Sequence, residues 1–280
     1  MSDDNDGDTA ALEPLLKPVV LVPDNGPLLL RAYRTRFWIL LSFGLIGMCQ
    51  CMNCFTLTSL PGSSEKYFGL TQGELLLIFN WQPLGNTVGA LFAAGLYSTL
   101  GTRVTVRLLA LLTAAGALIR CLPSLVPAIL ASRPLMLLCL HTSSIVNGMA
   151  GPILNTAPAL LSAIWFPAEE RMSSTGVLGT CPVLGSMVGF ALGPFIVKHY
   201  SDMPTLLYTE AGITLCCAVL IMLHFPERPP LPPSGAAHLA TERRASLGGD
   251  AGGSGESLVF PPSLRSWNRS WNSTTADSSH

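Results

Sequence analysis

Six long apolar segments lie between Phe37 and Phe225, and they restrict the folds open to this chain more than any other feature. They cover about residues 37–60, 74–97, 104–125, 135–158, 174–197 and 204–225. Each approaches the roughly 20 apolar residues that an α-helix needs to cross about 30 Å of hydrocarbon. Because peptide groups cannot stay unpaired in lipid, such segments must be helical. The sequence therefore predicts an all-α polytopic membrane protein with six transmembrane helices.

The charged residues agree with this prediction. Only 12% of the chain is charged, against about a quarter in soluble proteins. Lys and Arg concentrate before the first segment, in the 2–3 and 4–5 loops and after the sixth segment, which places both termini in the cytosol. Arg107 and Arg120 flank the apolar middle of the third segment, so we expect them to snorkel to opposite interfaces. No dense basic stripe exists, which argues against a nucleic-acid partner.

The two ends of the chain differ in composition from the apolar middle. Residues 1–36 begin acidic and then carry scattered prolines, and residues 226–280 are rich in Pro, Gly and Ser. We expect both to be disordered cytosolic tails around a transmembrane domain at 37–225. Leu15 and Leu16 resemble an acidic dileucine sorting signal, but Ala11 stands where the acid is usual. A chance Leu pair therefore remains the alternative.

Polar residues inside the apolar segments are the candidates for a solute or proton pathway. They are Gln50, Asn80, Gln82, Asn147, Asn155 and Glu210. An amide within a helix pair can bind a solute or simply hold the helices together, and the sequence leaves both readings open. Glu210 is the only acid well inside a segment. A carboxylate there is costly unless it faces a cavity or a partner, so it carries a coupling proton, attracts a cationic solute or pairs with Arg120.

Small residues predict how the helices pack, and the absence of known motifs argues against a metal site, a cofactor and enzyme activity. Gly185, Gly189 and Gly193 recur every four residues and predict a close helix-packing seam. Cys51 and Cys54 form a CxxC without further ligands nearby, so we expect packing residues, no metal and no cofactor. No hydrolase, P-loop or dinucleotide-binding motif occurs, and we expect no enzyme activity.

Several loop motifs resemble the major facilitator superfamily. Leu100-Gly101-Thr102-Arg103 stands where that superfamily carries a Gly–Asp–basic–Gly–basic signature between its second and third helices. Gly101 and Arg103 match the signature, while Ser98 and Thr99 replace an acidic and a basic residue. Trp165-Phe166, Glu170-Arg171 and Gly193-Pro194 also fit the superfamily pattern.

More closely, the chain resembles solute carrier family 49. The similar stretches are residues 33–38, 101–123, 147–171, 207–210 and 225–233. The resemblance implies a twelve-helix fold of which this chain supplies the N-terminal six helices. It also implies proton-coupled movement of a small organic solute, either a pyridoxine-like vitamin B6 compound or an organic cation. The location implied is the lysosomal membrane, with the plasma membrane as the alternative.

Two functions follow from a half-length facilitator. As a transporter, it would contact membrane lipid and a small-molecule solute, and it would need a second copy or a full-length transporter to complete the cavity. As a truncated non-transporting variant, it would associate with a full-length transporter or regulate it. The change into a low-complexity tail after Phe225 favours the second reading, and the polar residues inside the helices favour the first.

Overall fold

The computed structural model describes residues 33–229, and six long α-helices run through this part of the chain. They are α1 (Thr35–Phe55), α2 (Gln72–Thr99), α3 (Gly101–Leu125), α4 (Arg133–Trp165), α5 (Arg171–Ile196) and α6 (Met203–Leu223). The short helices Pro61–Phe68 and Pro127–Ala131 and the 3-10 turns Ala168–Glu170 and Tyr200–Asp202 lie between them. These residues contain no strand, and the predicted all-α fold with six helices is confirmed. The predicted disorder of the tails falls almost wholly outside the described residues.

Five of the six long helices are both long enough and apolar enough to cross a membrane. By length and composition these spans are Thr35–Phe55, Gly101–Leu125, Arg133–Trp165, Ala168–Ile196 and Tyr200–Leu223. The remaining helix, α2, has 28 residues, or about 42 Å at 1.5 Å per residue, and so exceeds the hydrocarbon thickness. Its polar residues Asn80, Gln82 and Asn86 lower its hydropathy. The same residues are the ones that make α2 a candidate for solute contact.

Helix boundaries follow local chemistry. α2 begins with a capping box, in which the Thr71 hydroxyl accepts from the Glu74 amide and the Glu74 carboxylate accepts from the Thr71 amide. Gly101, with φ of 79°, makes the tight turn between α2 and α3 that a residue with a Cβ would strain. α4 continues through Pro152 and Pro158 to Trp165, past the predicted end at 158 and without a break. α1 ends at Phe55, five residues earlier than expected.

Two apolar clusters are stacked along the bundle, and a polar layer lies between them. One surrounds Phe43, Leu109 and Ile221 near the ends of α1 and α6 that hold the described termini. The other surrounds Leu140 and Leu206 toward the opposite, far end. α1 packs against all five other long helices. Polar side chains on α1 between the two clusters can therefore meet α2, α3, α4 and α6.

The glycine seam predicted on α5 packs against α1. A Cβ at Gly185 would collide with the main chain of Met48, and one at Gly189 would lie 3.1 Å from the Met52 carbonyl oxygen. A Cβ at Gly193 would instead lie 2.8 Å from the Ser59 side-chain oxygen, beyond the end of α1. The four-residue spacing therefore brings the two backbones into direct contact, as the sequence predicted.

Candidate functional site

A buried amide cluster joins α1, α2 and α4 in the polar layer. The Gln50 side-chain amide donates to the Asn147 main-chain carbonyl at 3.1 Å, and the Asn147 amide donates to the Gln50 carbonyl at 3.1 Å. Asn147 also donates to Gln82 Oε1 at 3.2 Å, and the Cys54 thiol donates to the same oxygen at 3.2 Å. All three amide residues are at most 6% exposed. The cluster fixes three helices relative to one another.

A close backbone approach positions the cluster. A Cβ at Gly148, the residue after Asn147, would lie 2.7 Å from the Gln82 carbonyl oxygen. A Cβ at Gly85, about one turn along α2, would lie 3.2 Å from the main chain of Gly148. Glycine at both points lets α2 and α4 touch, which brings the Gln82 side chain within reach of Asn147.

The cluster keeps unused hydrogen-bonding groups. Asn147 Oδ1 and Gln82 Nε2 are buried, and neither has a partner within residues 33–229. A buried donor or acceptor without a hydrogen-bond partner costs about 1–3 kcal/mol, so such groups favour binding of an additional partner. The free acceptor of Asn147 and the free donor of Gln82 can each form a hydrogen bond to a polar solute or a water molecule, without any charge being required.

A second polar cluster adjoins the first and contains the buried charges. Arg120 of α3 and Glu210 of α6 are 3% and 2% exposed. The Arg120 Nη1 donates to the Thr56 hydroxyl at 3.0 Å, and that hydroxyl donates to Glu210 Oε2. Among the described ion pairs there is no direct one between Arg120 and Glu210. The hydroxyl of Thr56 therefore connects the two charges.

The main chain of α1 and an amide complete this second cluster. Arg120 Nη1 also donates to the Asn53 carbonyl at 2.6 Å. The Asn53 side chain donates to the Thr214 hydroxyl at 3.3 Å, and Thr214 donates to the Glu210 carbonyl at 2.8 Å. α1, α3 and α6 are thus linked at one level. The arrangement holds a buried carboxyl group that accepts a hydrogen bond from a neighbouring hydroxyl.

The structure brings four of the six predicted pathway residues into these clusters. Gln50, Gln82 and Asn147 form the amide cluster, and Glu210 belongs to the charged one. Asn80 and Asn155 lie exposed on α2 and α4 and take no part in either cluster. Leu15 and Leu16, the predicted sorting signal, lie outside the described residues.

Three contributing residues were missed or misread from the sequence. The expectation that Arg120 snorkels to the interface is wrong, because the Asn53 carbonyl and the Thr56 hydroxyl at the end of α1 hold it inside. Cys54 was expected only to pack, yet its thiol hydrogen-bonds within the amide cluster. Thr56 was not predicted as a site residue, although it lies six residues after Gln50, directly after the last residue of α1. Within residues 33–229 no group of three His, Cys, Asp or Glu side chains could hold a metal ion.

An ion pair lies at the end of the bundle that holds the described termini. Arg36 Nη1 lies 3.1 Å from Glu170 Oε2, and its guanidinium lies 5.7 Å from the centre of the Phe166 ring. This pair joins the start of α1 to the 4–5 loop.

The chain is similar in sequence to known membrane transporters. A family model described as Major Facilitator Superfamily matches residues 39–271. The chain is 31% identical over 242 residues to the solute carrier family 49 member 4 homolog of Xenopus tropicalis, covering 80% of this chain and 50% of that protein. It is 24% identical over 230 residues to the choline/ethanolamine transporter flvcr2b of Danio rerio, covering 77% of this chain and 44% of that protein. The chain spans about half the length of the curated relatives it matches.

Solved structures share the fold at low sequence identity. The inward-open xylose transporter XylE from E. coli superimposes with a TM-score of 0.58 at 16% identity, covering 76% of this chain and 56% of that one. A D-xylose-proton symporter gives a TM-score of 0.56 at 17% identity, covering 75% of this chain and 53% of that one. These similarities concern the arrangement of the helices alone.

Proposed function

Because this chain belongs to the Major Facilitator Superfamily, we propose that it is one six-helix half of a membrane transporter for a small organic solute. In folds of this kind the solute lies between two halves that rock against each other. The observation that carries the proposal is the buried amide cluster of Gln50, Gln82 and Asn147, which retains one unpaired donor and one unpaired acceptor. If these residues only held the helices together, a donor and an acceptor without hydrogen-bond partners would add nothing to stability.

We further propose that solute movement is coupled to protons through Glu210. The support is the placement of a 2% exposed carboxylate against a hydroxyl that also contacts a buried guanidinium. Loss or gain of one proton there changes the charge balance beside the amide cluster. Such intramembrane acids usually mark an ion or proton pathway.

The solute class we propose is a pyridoxine-like compound or an organic cation. Neutral amides suit the hydroxyl and ring-nitrogen groups of a pyridoxine-like solute, since they offer both donors and acceptors. A cation would be attracted by ionised Glu210. The similarity to a protein named as a choline/ethanolamine transporter supports the second possibility.

We also propose a lysosomal location with both termini in the cytosol, the plasma membrane being the alternative. The Lys and Arg bias of the loops supports the orientation, and Leu15-Leu16 supports the sorting. Replacing both leucines by Ala should move a tagged chain from lysosomes to the cell surface. An unchanged lysosomal distribution of that variant would remove the sorting role.

We propose that a second copy of this chain or a full-length relative supplies the other wall of the cavity. The chain spans about half the length of its curated relatives, and the other wall of the cavity must come from further helices. The alternative function is a non-transporting protein that associates with a full-length transporter or regulates it. Co-purification of two differently tagged copies, and of one copy with a twelve-helix relative, separates these assemblies.

Uptake into proteoliposomes tests the central proposal. Vesicles with the full chain should accumulate pyridoxine or choline when an inward proton gradient is applied, and Asn147→Ala should reduce initial uptake at least several-fold. Asn155→Ala is the matched control on the same helix, because Asn155 is exposed and outside the cluster. Uptake equal to that of empty vesicles, from chain shown to be folded and oligomeric, would leave only the non-transporting function.

A further inference from the structure

Two arginines near the start of α3 form a basic patch at the end of the bundle that holds the described termini. Arg103 and Arg107 are four residues apart, so their side chains lie on the same face of α3. Arg107 Nη2 donates to the Met222 carbonyl, near the end of α6, at 2.9 Å. Because α3 and α6 pack against each other, this bond places the basic patch beside the groove between the two helices.

Most of the hydrogen-bonding capacity of the basic patch is unused. The bond to Met222 is the one described hydrogen bond of the Arg107 side chain, and its buried Nε has no partner within residues 33–229. Arg103 is exposed and belongs to neither of the described ion pairs. The planar guanidinium matches the oxygen atoms of a phosphate group, to which it can donate two hydrogen bonds at once. The patch therefore offers positive charge and donors that no described acceptor uses.

One carboxylate lies near the basic patch and leaves its charge uncompensated. Glu227, which follows α6, is exposed and lies beside Gly101 at the start of α3. In the part of the chain that the structure describes, Glu227 forms no ion pair with Arg103 or Arg107. Arg228, next in the sequence, is also exposed. Positive charge therefore exceeds negative charge at this end of the groove.

Apolar side chains continue the same faces toward the middle of the bundle. Leu111 lies one turn beyond Arg107 on the same face of α3 and is 51% exposed. Val219 and Met222, one turn apart on α6, are 46% and 38% exposed. Arginines at the end of an exposed apolar stripe match the chemistry of a phospholipid, in which an anionic headgroup is attached to acyl chains.

We propose that the groove between α3 and α6 binds an anionic phospholipid, with the headgroup phosphate on Arg103 and Arg107 and an acyl chain along the apolar stripe. In the orientation proposed above, the patch faces the cytosolic leaflet, which carries anionic lipids such as phosphatidylserine. A free phosphate ion would reach the arginines but gain no apolar contact. Lipid binding does not require solute transport, so the failure of one proposal leaves the other standing.

Native mass spectrometry of the purified full chain in detergent tests the site. Phosphatidylserine and phosphatidylcholine with identical acyl chains are added in equal amounts, and the bound fraction of each lipid is compared. Phosphatidylserine should bind in clear preference, and inorganic phosphate at the same concentration should not displace it. Equal binding of the two lipids, or displacement of phosphatidylserine by phosphate, would overturn the proposal.

Arginine variants separate this site from a general attraction between charges. Arg103→Gln should weaken phosphatidylserine binding about fivefold, the contribution of one interfacial arginine. The double variant with Arg107→Gln should weaken it further. Arg34→Gln is the matched control, since Arg34 is exposed at the same end of the bundle but lies at the start of α1. Equal weakening by Arg34→Gln and Arg103→Gln, or none by Arg103→Gln, would overturn the site even if the double variant fails to fold.

Discussion

Gln50 of α1 and Asn147 of α4 each donate their side-chain amide to the other's main-chain carbonyl. The exchange is reciprocal across a helix pair, so neither side chain can turn toward a solute without releasing the other helix. Asn147 alone extends further, to Gln82 on α2. In the proposed transporter, solute binding at Asn147 would therefore be linked to the relative positions of three helices.

The first prediction concerns Asn147. Asn147→Ala removes the bonds from its amide to Gln50 and Gln82 but leaves the main-chain carbonyl that Gln50 donates to. Hydrogen bonds between membrane helices contribute about 0.6 kcal/mol on average and at most about 1.7. We expect a loss of roughly 1–2 kcal/mol in stability, measured as a lower unfolding temperature in detergent.

Asn155→Ala is the control for that measurement. Asn155 is exposed on the same helix, so its replacement should change the free energy of unfolding by less than about 0.5 kcal/mol. If both variants unfold at the same temperature as wild type, the amide cluster does not hold α1, α2 and α4 together.

The second prediction concerns the Thr56 hydroxyl. Thr56→Val keeps the volume but removes the group that joins Arg120 to Glu210, leaving each charge without that hydrogen bond. A hydrogen bond to a charged group contributes about 1.5–3 kcal/mol. We expect a loss of that order in the free energy of unfolding, and a loss of the dependence of solute uptake on the proton gradient.

Thr56→Ser restores the hydroxyl and serves as the control. It should recover most of the gradient dependence, although the lost methyl group costs some packing. Gradient-driven uptake by Thr56→Val at the wild-type rate would show that Thr56 takes no part in proton coupling.

Much of the fold was predictable, because apolar segments of about 20 residues cross a membrane as α-helices. The α5 seam was also predictable from spacing, since Gly185, Gly189 and Gly193 share one helix face. The burial of Arg120 was not. Its cost depends on partners from α1, which lie more than sixty residues away in the sequence. Local hydropathy contains no information about such partners.

Part of the candidate site could have been refined from helical geometry. Asn80 and Gln82 are two residues apart, which places them on nearly opposite faces of α2, so both could not join one cluster. Gln50 and Cys54 are four apart and share a face, and both do join it. Which face turned inward depended on the close approach at Gly148, a feature of tertiary packing.

The third prediction uses two glycines of α5. Gly185→Ala would force the new methyl group into the main chain of Met48 and push α5 away from α1. Overpacking of this kind costs about 1–3 kcal/mol. We expect a lower unfolding temperature and weaker solute uptake, measured on the purified chain.

Gly179→Ala is the matched control one and a half turns earlier. Gly179 has no neighbouring atom within 4 Å of the added methyl group. Replacing an unconstrained helical glycine by alanine favours the helix by about 0.5–1 kcal/mol. A destabilisation by Gly179→Ala as large as that by Gly185→Ala would contradict the described α1–α5 contact.

The fourth prediction concerns the ion pair between Arg36 and Glu170. The Glu170 side chain is 46% exposed, so the charge interaction alone should contribute less than about 1 kcal/mol and weaken as salt is added. Arg36→Ala should nevertheless destabilise the chain more than Glu170→Ala, because the arginine is 15% exposed and also packs on the Phe166 ring. A double-mutant cycle at low and high salt measures the two contributions separately. Equal losses from the two single variants would contradict the packing of Arg36 on the Phe166 ring. A coupling energy that high salt leaves unchanged would contradict the exposed charge pair.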